Sequence, residues 1–150
     1  MRSVSETYQI IWLIRRLFRA MGRKATEKLE VLGITAADRA VMEFLHPREQ
    51  LSVPEIADRY LVSRQHIQVT VNSLLEKKLV TTRRNPRHKK SPLVTLNSTG
   101  RALFASIRSN EEAMIGELFS GISEIDRDRT RRTLTTLLER LSQEKNHEIE

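Results

Sequence analysis

The sequence predicts a mainly α-helical protein with one small β-hairpin near its centre. Long stretches carry apolar residues at the spacing of amphipathic helices, as in the stripe formed by Ile10, Ile14, Leu17, Phe18 and Met21. Two short β-prone segments, 80–84 and 93–96, interrupt this pattern and flank a segment rich in Arg, Lys and His. A chain of 150 residues is expected to form a single domain with a substantial core.

Composition excludes several kinds of protein. The chain has no cysteine, so it contains neither a disulfide nor a thiolate metal site. Its four histidines lack close metal-ligand spacing, and the sequence shows neither a glycine-rich phosphate loop nor a clear Ser/His/Asp arrangement. We therefore predict no metal, no cofactor and no enzymatic activity.

The N-terminal part of the chain does not resemble a membrane anchor. Its apolar run extends only from Ile10 to Ile14 before Arg15 and Arg16 end it, whereas a membrane span needs about 20 residues. No small-residue cleavage site of a signal peptide follows. We expect a cytoplasmic protein that has no membrane partner.

Positive charge is concentrated in one central segment. The formal net charge of the chain is +7. Residues 62–92 hold eight Lys or Arg and one acidic residue, Glu76, which gives +7, while residues 1–61 carry +2 and residues 93–150 carry −2. A localised positive field indicates a polyanionic partner, with nucleic acid as the first candidate. The alternative is a solvated basic loop on an ordinary basic protein.

Capping signals divide the helical sequence into six segments. The first helix is predicted over about Ser5 to Glu30, and the next five start near Thr35, Ser52, Ser63, Asn97 and Ser123. Three of these starts are capping boxes, namely Thr35–Asp38, Ser52–Glu55 and Ser123–Asp126. The sixth helix carries a narrow leucine seam, formed by Leu134, Leu137, Leu138 and Leu141. Because helices 1, 5 and 6 flank the central segments, this seam indicates a subunit interface.

The central segments follow the order helix, helix, tight turn, helix and β-hairpin, which is typical of a winged helix-turn-helix. In such a unit the second helix of the pair enters the DNA major groove. That helix is the fourth of this chain, and we expect it to extend from Ser63 to about Lys78. Steps of 100° place Ile67, Val71 and Leu74 on its inner side, whereas its outer side is polar.

The outer side of the fourth helix has the chemistry that base recognition requires. Gln and Asn can form bidentate hydrogen bonds with adenine, and Val69 offers apolar contact to a thymine methyl group. The predicted DNA-contacting residues of this helix are Ser63, Arg64, Gln65, His66, Gln68, Val69, Asn72 and Ser73. The predicted contacts from the hairpin are Arg83, Arg84, Arg87, His88, Lys89 and Lys90. The alternative is a polar, exposed helix face that contacts no partner.

The sequence resembles the multiple-antibiotic-resistance regulator (MarR) family of bacterial transcription factors. The resemblance is carried by residues 51–100, LSVPEIADRYLVSRQHIQVTVNSLLEKKLVTTRRNPRHKKSPLVTLNSTG, and by residues 32–45, LGITAADRAVMEFL. It implies a homodimer built by residues 1–31 and 100–150, with a winged-helix DNA-binding region at 34–98. The fourth helix would lie in the major groove and the hairpin, or wing, in the neighbouring minor groove. Such proteins usually repress a nearby operon and often release a pseudo-palindromic operator when a small aromatic or anionic effector binds.

Three positions depart from the pattern of this family. Lys78 stands where members typically carry Gly at the end of the recognition helix, and Val69 stands where many carry Arg. In the wing, His88 and Lys90 occupy the positions of a common Asp and a minor-groove Arg. The usual Asp–Arg pair is therefore missing, and either Arg87 or Lys89 could take the role of Lys90 at the tip.

A ligand site is predicted on the first helix, where aromatic and basic residues share the side opposite the apolar stripe. The candidate lining comprises Tyr8, Trp12, Arg15 and Arg16, with Arg19 one turn further. Guanidinium groups beside an aromatic ring would suit an aromatic carboxylate. The alternative is that these arginines pair with acidic residues of the fifth and sixth helices, such as Glu111, Glu112 or Glu117.

Two functions remain in competition on the sequence alone. The first is a dimeric, sequence-specific regulator that binds double-stranded DNA. The second is a winged-helix module that binds another protein and no DNA, because a fold by itself does not settle function. The +7 of residues 62–92 favours the first.

Overall fold

The computed structural model describes residues 2–147, with side chains described for residues 5–144. In that part of the chain the elements follow the order α1 (Arg2–Val31), α2 (Ala36–Leu45), β1 (Leu51–Ser52), α3 (Val53–Tyr60), α4 (Arg64–Glu76), β2 (Val80–Arg83), β3 (Leu93–Leu96), α5 (Ser98–Leu118) and α6 (Glu124–His147). The predicted mainly α fold with a small hairpin is confirmed. No helix of the described residues is long and apolar enough to cross a membrane.

The chain forms two compact units, Met1–Phe104 and Ala105–Glu150. The first unit holds α1 to β3 and the start of α5, and the second holds the remainder of α5 together with α6. The core of the first unit lies between α2, α3, α4 and the strands. Its most deeply buried side chains include Val41, Met42, Leu45, Ile56, Ile67, Val71, Leu74, Val94, Leu96 and Phe104.

The sheet has three antiparallel strands in the order β1-β3-β2. β2 and β3 form the predicted hairpin, with Val80 opposite Leu96 and Arg83 opposite Leu93. β1 was not predicted: Leu51 pairs with Val94 and Ser52 with Leu93. This third strand attaches the start of α3 to the hairpin, so the wing is fixed to the helices on two sides.

The predicted helix starts are confirmed for α2, α3 and α4. Thr35 and Ser52 each form a complete capping box with the carboxylate three residues later. Ser63 accepts a hydrogen bond from the backbone N–H of His66, 3.1 Å away. The box at Ser123 differs, because its hydroxyl donates to the Asp126 carboxylate over 2.8 Å while also accepting from the Asp126 N–H.

A left-handed residue follows the end of α4. α4 stops at Glu76, slightly earlier than predicted, and Lys78 adopts φ 56°. The side chain of Asn97 donates to the Lys78 carbonyl over 2.8 Å, and the Asn97 backbone N–H donates to the Leu79 carbonyl over 3.1 Å. Asn97 also caps α5, since its Oδ1 accepts from the Gly100 N–H at 2.8 Å. One residue thus connects the end of α4, the start of β2 and the start of α5.

Many large apolar side chains outside this core are exposed in the single chain. On α1 they include Leu13, Leu17 and Phe18, and Phe18 is 71% exposed. On α6 they include Leu134, Leu138 and Leu141, with exposures between 43% and 60%. The predicted leucine seam therefore lies on the surface of the second unit. Exposed apolar stripes of this kind are typical of surfaces that another chain covers.

Gly100 is required by close packing. A Cβ atom at this position would lie 2.1 Å from the carbonyl oxygen of Leu79 and 3.1 Å from the Leu96 side chain. We predict that Gly100→Ala lowers the free energy of unfolding by roughly 1–3 kcal/mol, the usual cost of overpacking a core. Urea unfolding followed by circular dichroism measures the change.

Gly116→Ala is the matched control on the same helix, because a Cβ there would meet nothing within 4 Å. This control should be neutral or stabilising by about 0.5–1 kcal/mol, since alanine favours helix over glycine. Equal effects of the two substitutions would contradict the packing argument.

Candidate nucleic-acid interface

Helix α4 presents one buried and one exposed face, as predicted. Ile67, Thr70, Val71 and Leu74 are buried against the rest of the first unit. The predicted base-contacting side chains Gln65, Gln68, Val69 and Asn72 are exposed, and Val69 is 63% exposed although it is apolar. Ser73 lies half-buried at the edge of this face. The apolar side chain of Val69 thus lies among amides on the exposed face of α4 and does not pack in the core.

The start of α4 is organised by Ser63. Its hydroxyl oxygen accepts from the His66 N–H, so it serves the helix cap in this structure. Arg64 follows in the first turn and is exposed, as is the His66 side chain. The positive end of the helix dipole and the Arg64 guanidinium therefore lie on the same side of α4, a placement that favours a phosphate group.

Two amides on the exposed face are linked to each other. Gln68 Nε2 donates a hydrogen bond to Asn72 Oδ1 over 2.9 Å, one turn further along the helix. The remaining polar atoms of the pair include the Gln68 Oε1 acceptor and the Asn72 Nδ2 donor. A base edge in the major groove offers donors and acceptors side by side, so a linked pair of this kind is suited to contact it.

The wing carries its cations in the open. All six predicted contact residues, Arg83, Arg84, Arg87, His88, Lys89 and Lys90, are exposed. Among the ion pairs found in the described residues, none involves these six side chains. Their charge is therefore available to an external anion.

The tip of the wing, residues 84–92, contains a buried side chain that sequence reasoning missed. Asn85 is 8% exposed. Its Nδ2 donates to the Ser91 carbonyl over 2.9 Å, and its Oδ1 accepts from the Arg87 N–H over 3.0 Å. The dipeptide Asn85-Pro86 indicated a turn in the sequence, but only the fold shows that this amide joins both ends of the tip.

The wing and the recognition helix border common clefts. One cleft of about 540 Å³ has Arg64 from α4 on one side and Arg87 and His88 from the wing on the other. A second of about 300 Å³ lies between Lys90 and the α4 residues Arg64, Gln65 and Gln68. The predicted phosphate-contacting and base-contacting groups are therefore neighbours in space, not only in sequence.

A buried ion pair anchors the far end of α4. Asp38, on the first turn of α2, is 1% exposed, and its carboxylate accepts hydrogen bonds from Lys77 Nζ and from the Thr35 N–H. Burial raises the pKa of the Asp38 carboxyl, but the hydrogen bonds and the charge of Lys77 outweigh burial, so the pKa is lowered from its usual value. This pair joins residues far apart in sequence and connects the C-terminal end of α4 to the first turn of α2.

The predicted ligand cluster on α1 is partly assembled. Trp12, Arg15, Arg16 and Arg19 border one surface depression of about 860 Å³, together with apolar residues of the same helix. Tyr8 is exposed but does not border it. Of the acidic residues proposed as partners for these arginines, Glu112 forms an ion pair with Arg108, one turn earlier on α5.

Comparison with known proteins relates the central part of the chain to a known family. The sequence model of the MarR family matches residues 32–91, which cover α2, α3, α4 and most of the wing. Residues 32–91 are therefore similar to the MarR family. An uncharacterized protein of Mycobacterium tuberculosis is 26% identical over 144 residues, which is 96% of this chain and 95% of the relative.

Two solved structures share the fold of this chain. One is MepR of Staphylococcus aureus in complex with DNA, at a TM-score of 0.74 and 24% identity, covering 87% of this chain and 96% of that one. The other is MarR of Staphylococcus aureus in complex with salicylate and kanamycin, at a TM-score of 0.80 and 16% identity. The match covers 92% of this chain and 93% of that one. At these identities the likeness shows the fold.

The Asp38–Lys77 pair makes stability depend on pH. Because the pKa of Asp38 is lowered on folding, the pair stabilises the fold fully above the unfolded pKa of about 3.9 and loses this contribution as pH falls through the lower, folded pKa. Asp38→Asn keeps an oxygen for the Thr35 N–H but removes the charge. We expect it to cost roughly 1.5–3 kcal/mol at neutral pH, as for a hydrogen bond to a charged group.

Urea unfolding of both proteins between neutral pH and about pH 3 measures this difference, which should shrink below about pH 4. Asp58→Asn, at an exposed position of α3, is the matched control and should change stability little at any pH. A difference that stays constant down to the lowest pH would argue against the ion pair.

Proposed function

We propose that this chain is a transcription regulator of the MarR family, which binds double-stranded DNA sequence-specifically as a homodimer. The observation that carries the proposal is the shared border between α4 and the wing. Gln65 and Gln68 line one cleft together with Arg64 and Lys90, and Arg64 also lines a second cleft together with Arg87. In the proposed complex α4 lies in the major groove and the wing lies over the adjacent phosphates and minor groove.

Phosphate contacts supply most of the affinity in this proposal. The six exposed side chains of the wing include five permanent cations, and Arg64 adds another at the start of α4. Neutralising DNA phosphates releases condensed counterions, so binding should weaken steeply as salt rises. Lys90 is a flexible point charge, whereas the guanidinium of arginine can form two parallel hydrogen bonds. The lysine is therefore better suited to a phosphate than to a defined base edge.

Base selection is assigned to the exposed face of α4. Gln65, Gln68 and Asn72 can donate to N7 and accept from N6 of adenine, and Val69 can contact the methyl group of thymine. The centre of this face, which consists of these three amides and Val69, favours A·T pairs, because it lacks the Arg or Lys that most often contacts guanine.

The dimer is proposed from the exposed apolar surfaces of α1 and α6. Leu17 and Phe18 on the first and Leu138 and Leu141 on the second would be covered by another copy of the chain. Two copies related by a twofold axis would contact a pseudo-palindrome whose half-sites lie about 10–10.5 base pairs apart. A dimer seated on an operator blocks access to it, and for this reason we propose repression as the regulatory effect.

The competing function is a winged-helix module that binds a protein and no DNA. It has the same fold, so only the surface distinguishes it. A cluster of unpaired cations beside exposed amides fits a nucleic acid better than a typical protein interface, whose buried centre is depleted in charge.

The DNA-binding proposal predicts separable roles for α4 and the wing. Duplexes enriched by the wild-type protein from a randomised pool supply the specific probe. Gln65→Ala and Asn72→Ala should reduce discrimination against single mismatches, each normally worth about 1–3 kcal/mol. Arg87→Ala should instead weaken binding to all duplexes by similar factors and flatten the salt dependence. Gel shifts and fluorescence anisotropy measure both effects.

For the wild-type dimer, the slope of log K against log salt should be about −5 to −9 if roughly 6–10 phosphates are neutralised. Replacing thymine by uracil at the base pair that Val69 contacts removes only the methyl group. This replacement should weaken binding by the wild type and leave the affinity of Val69→Ala unchanged. A slope near zero would favour the protein-interaction module. Relaxed specificity in Arg87→Ala with uniform weakening in Gln65→Ala would reverse the assigned roles.

We further propose that a small aromatic anion releases the DNA by binding beside Trp12. The guanidinium groups of Arg15, Arg16 and Arg19 border the same depression as this indole, and a carboxylate next to an aromatic ring matches both. The salicylate complex of the staphylococcal MarR supports this class of ligand.

Titration with salicylate should change the fluorescence of Trp12, the only tryptophan of the chain. In Arg16→Gln the midpoint should rise about tenfold, as expected for losing a charge-assisted hydrogen bond. Arg23→Gln, an exposed arginine on α1 outside this depression, is the control and should titrate like the wild type. No fluorescence change at millimolar salicylate would rule out this ligand for the site.

A further inference from the structure

We propose that Asn85 is a positioning residue for DNA binding, which holds the wing tip (residues 84–92) in the one conformation that presents its cations to phosphates. The inference rests on the proposed DNA-binding function. The juxtaposition that carries it is a buried neutral amide, hydrogen-bonded to both ends of an exposed and strongly basic loop.

The wing tip has little else to keep it ordered. Arg84, Arg87, Lys89 and Lys90 repel one another, and all four are exposed. Within the described residues no carboxylate forms an ion pair with them. The strand pairing between β2 and β3 ends at Arg83 and Leu93, so it does not extend into the tip. A loop with these properties would ordinarily sample many conformations.

Asn85 supplies the missing constraint with three of its polar atoms. Its side-chain Nδ2 donates to the Ser91 carbonyl over 2.9 Å, which closes the loop between its first and last turns. Its Oδ1 accepts from the Arg87 N–H over 3.0 Å, and its own carbonyl accepts from the His88 N–H over 3.3 Å. A second turn follows, where the Ser91 N–H donates to the His88 carbonyl over 3.2 Å.

The burial of Asn85 makes these hydrogen bonds matter more than they would on the surface. The side chain is 8% exposed, beneath a tip whose other side chains are exposed or half-buried. Water competes less for a buried hydrogen bond, and a buried donor that loses its partner is penalised. The amide can therefore resist the mutual repulsion of the surrounding cations.

Only an amide satisfies both neighbours. Aspartate could accept from the Arg87 N–H but could not donate to the Ser91 carbonyl. It would also add a negative charge to the surface that is proposed to face phosphates. Asparagine gives the same turn without that charge, because its side chain is neutral.

Asn85 is expected to increase the affinity for DNA by ordering the wing tip before it binds. A disordered tip must lose conformational freedom when its cations engage phosphates, whereas a tip already held by Asn85 does not. Asn85→Ala leaves every cation in place, so any loss of affinity must come from their positions. We expect the dissociation constant for DNA to rise about tenfold and the magnitude of the salt slope to fall by about one to two, as if one or two phosphate contacts were lost.

The experiment compares the wild type, Asn85→Ala and Asn110→Ala, the last an exposed asparagine on α5 that serves as control. The probe is a fluorescent mixed-sequence duplex of about three helical turns, with anisotropy measured over a salt series. Hydrogen exchange of the Arg87 amide, measured without DNA, should accelerate about tenfold in Asn85→Ala. The control should match the wild type in both measurements.

Several results would overturn the inference. One such result is that the wild type binds DNA with a steep salt slope and Asn85→Ala binds with the same affinity and the same slope. Another is an Asn85→Ala variant that loses thermal stability while its salt slope below the transition stays unchanged, because this would show a structural role alone. A wild-type chain that fails to bind any duplex would instead defeat the proposed function, and exchange of the Arg87 amide would still show whether Asn85 orders the tip.

Discussion

Two carbonyl groups, those of Lys78 and Leu79, both accept hydrogen bonds from Asn97, and the geometry of the proposed DNA-binding surface depends on these contacts. The chain must reverse sharply between α4 and β2, and Lys78 does so in the left-handed region. A lysine there costs up to about 1 kcal/mol relative to glycine. Asn97 offsets that cost and, by capping α5 at the same time, fixes the wing strands against the end of the recognition helix.

Neutral amides provide most of the order around the basic surface. Asn97 holds the end of α4, Asn85 holds the wing tip, and Gln68 is linked to Asn72 on the exposed face. Among the cations of residues 62–92, the ion pairs of the described residues involve Lys77 alone, which lies at the far end of α4. Salt bridges could also order the wing, but their carboxylates would neutralise its positive charge. Amide hydrogen bonds stabilise the same geometry and leave the charge available, which explains how a compact unit keeps a strong local field.

Local signals predicted most of the fold, because helix caps and apolar periodicity depend on neighbours in sequence. Thr35, Ser52 and Ser63 were identified as caps, and the buried side of α4 followed from its spacing. The features that were missed need partners far away. β1 is too short to show alternation, and it forms only because Val94 and Leu93 lie beside it. Asp38 was identified as a cap, but its burial against Lys77 and the close approach of Gly100 to Leu79 arise from tertiary packing.

In the proposed complex, the departures from the family pattern have a common effect, which is to separate phosphate binding from base recognition. Val69 and Lys90 both replace residues that are commonly arginine, and His88 removes the carboxylate that would hold a wing arginine. A fixed guanidinium combines charge with directional hydrogen bonds, so it adds affinity and base selection at once. In this chain the two properties lie on different elements: the cations are concentrated in the wing tip, whereas the amides and Val69 occupy α4. Salt should therefore weaken attachment to DNA far more than it changes which bases are preferred, because only the first depends on screened charge.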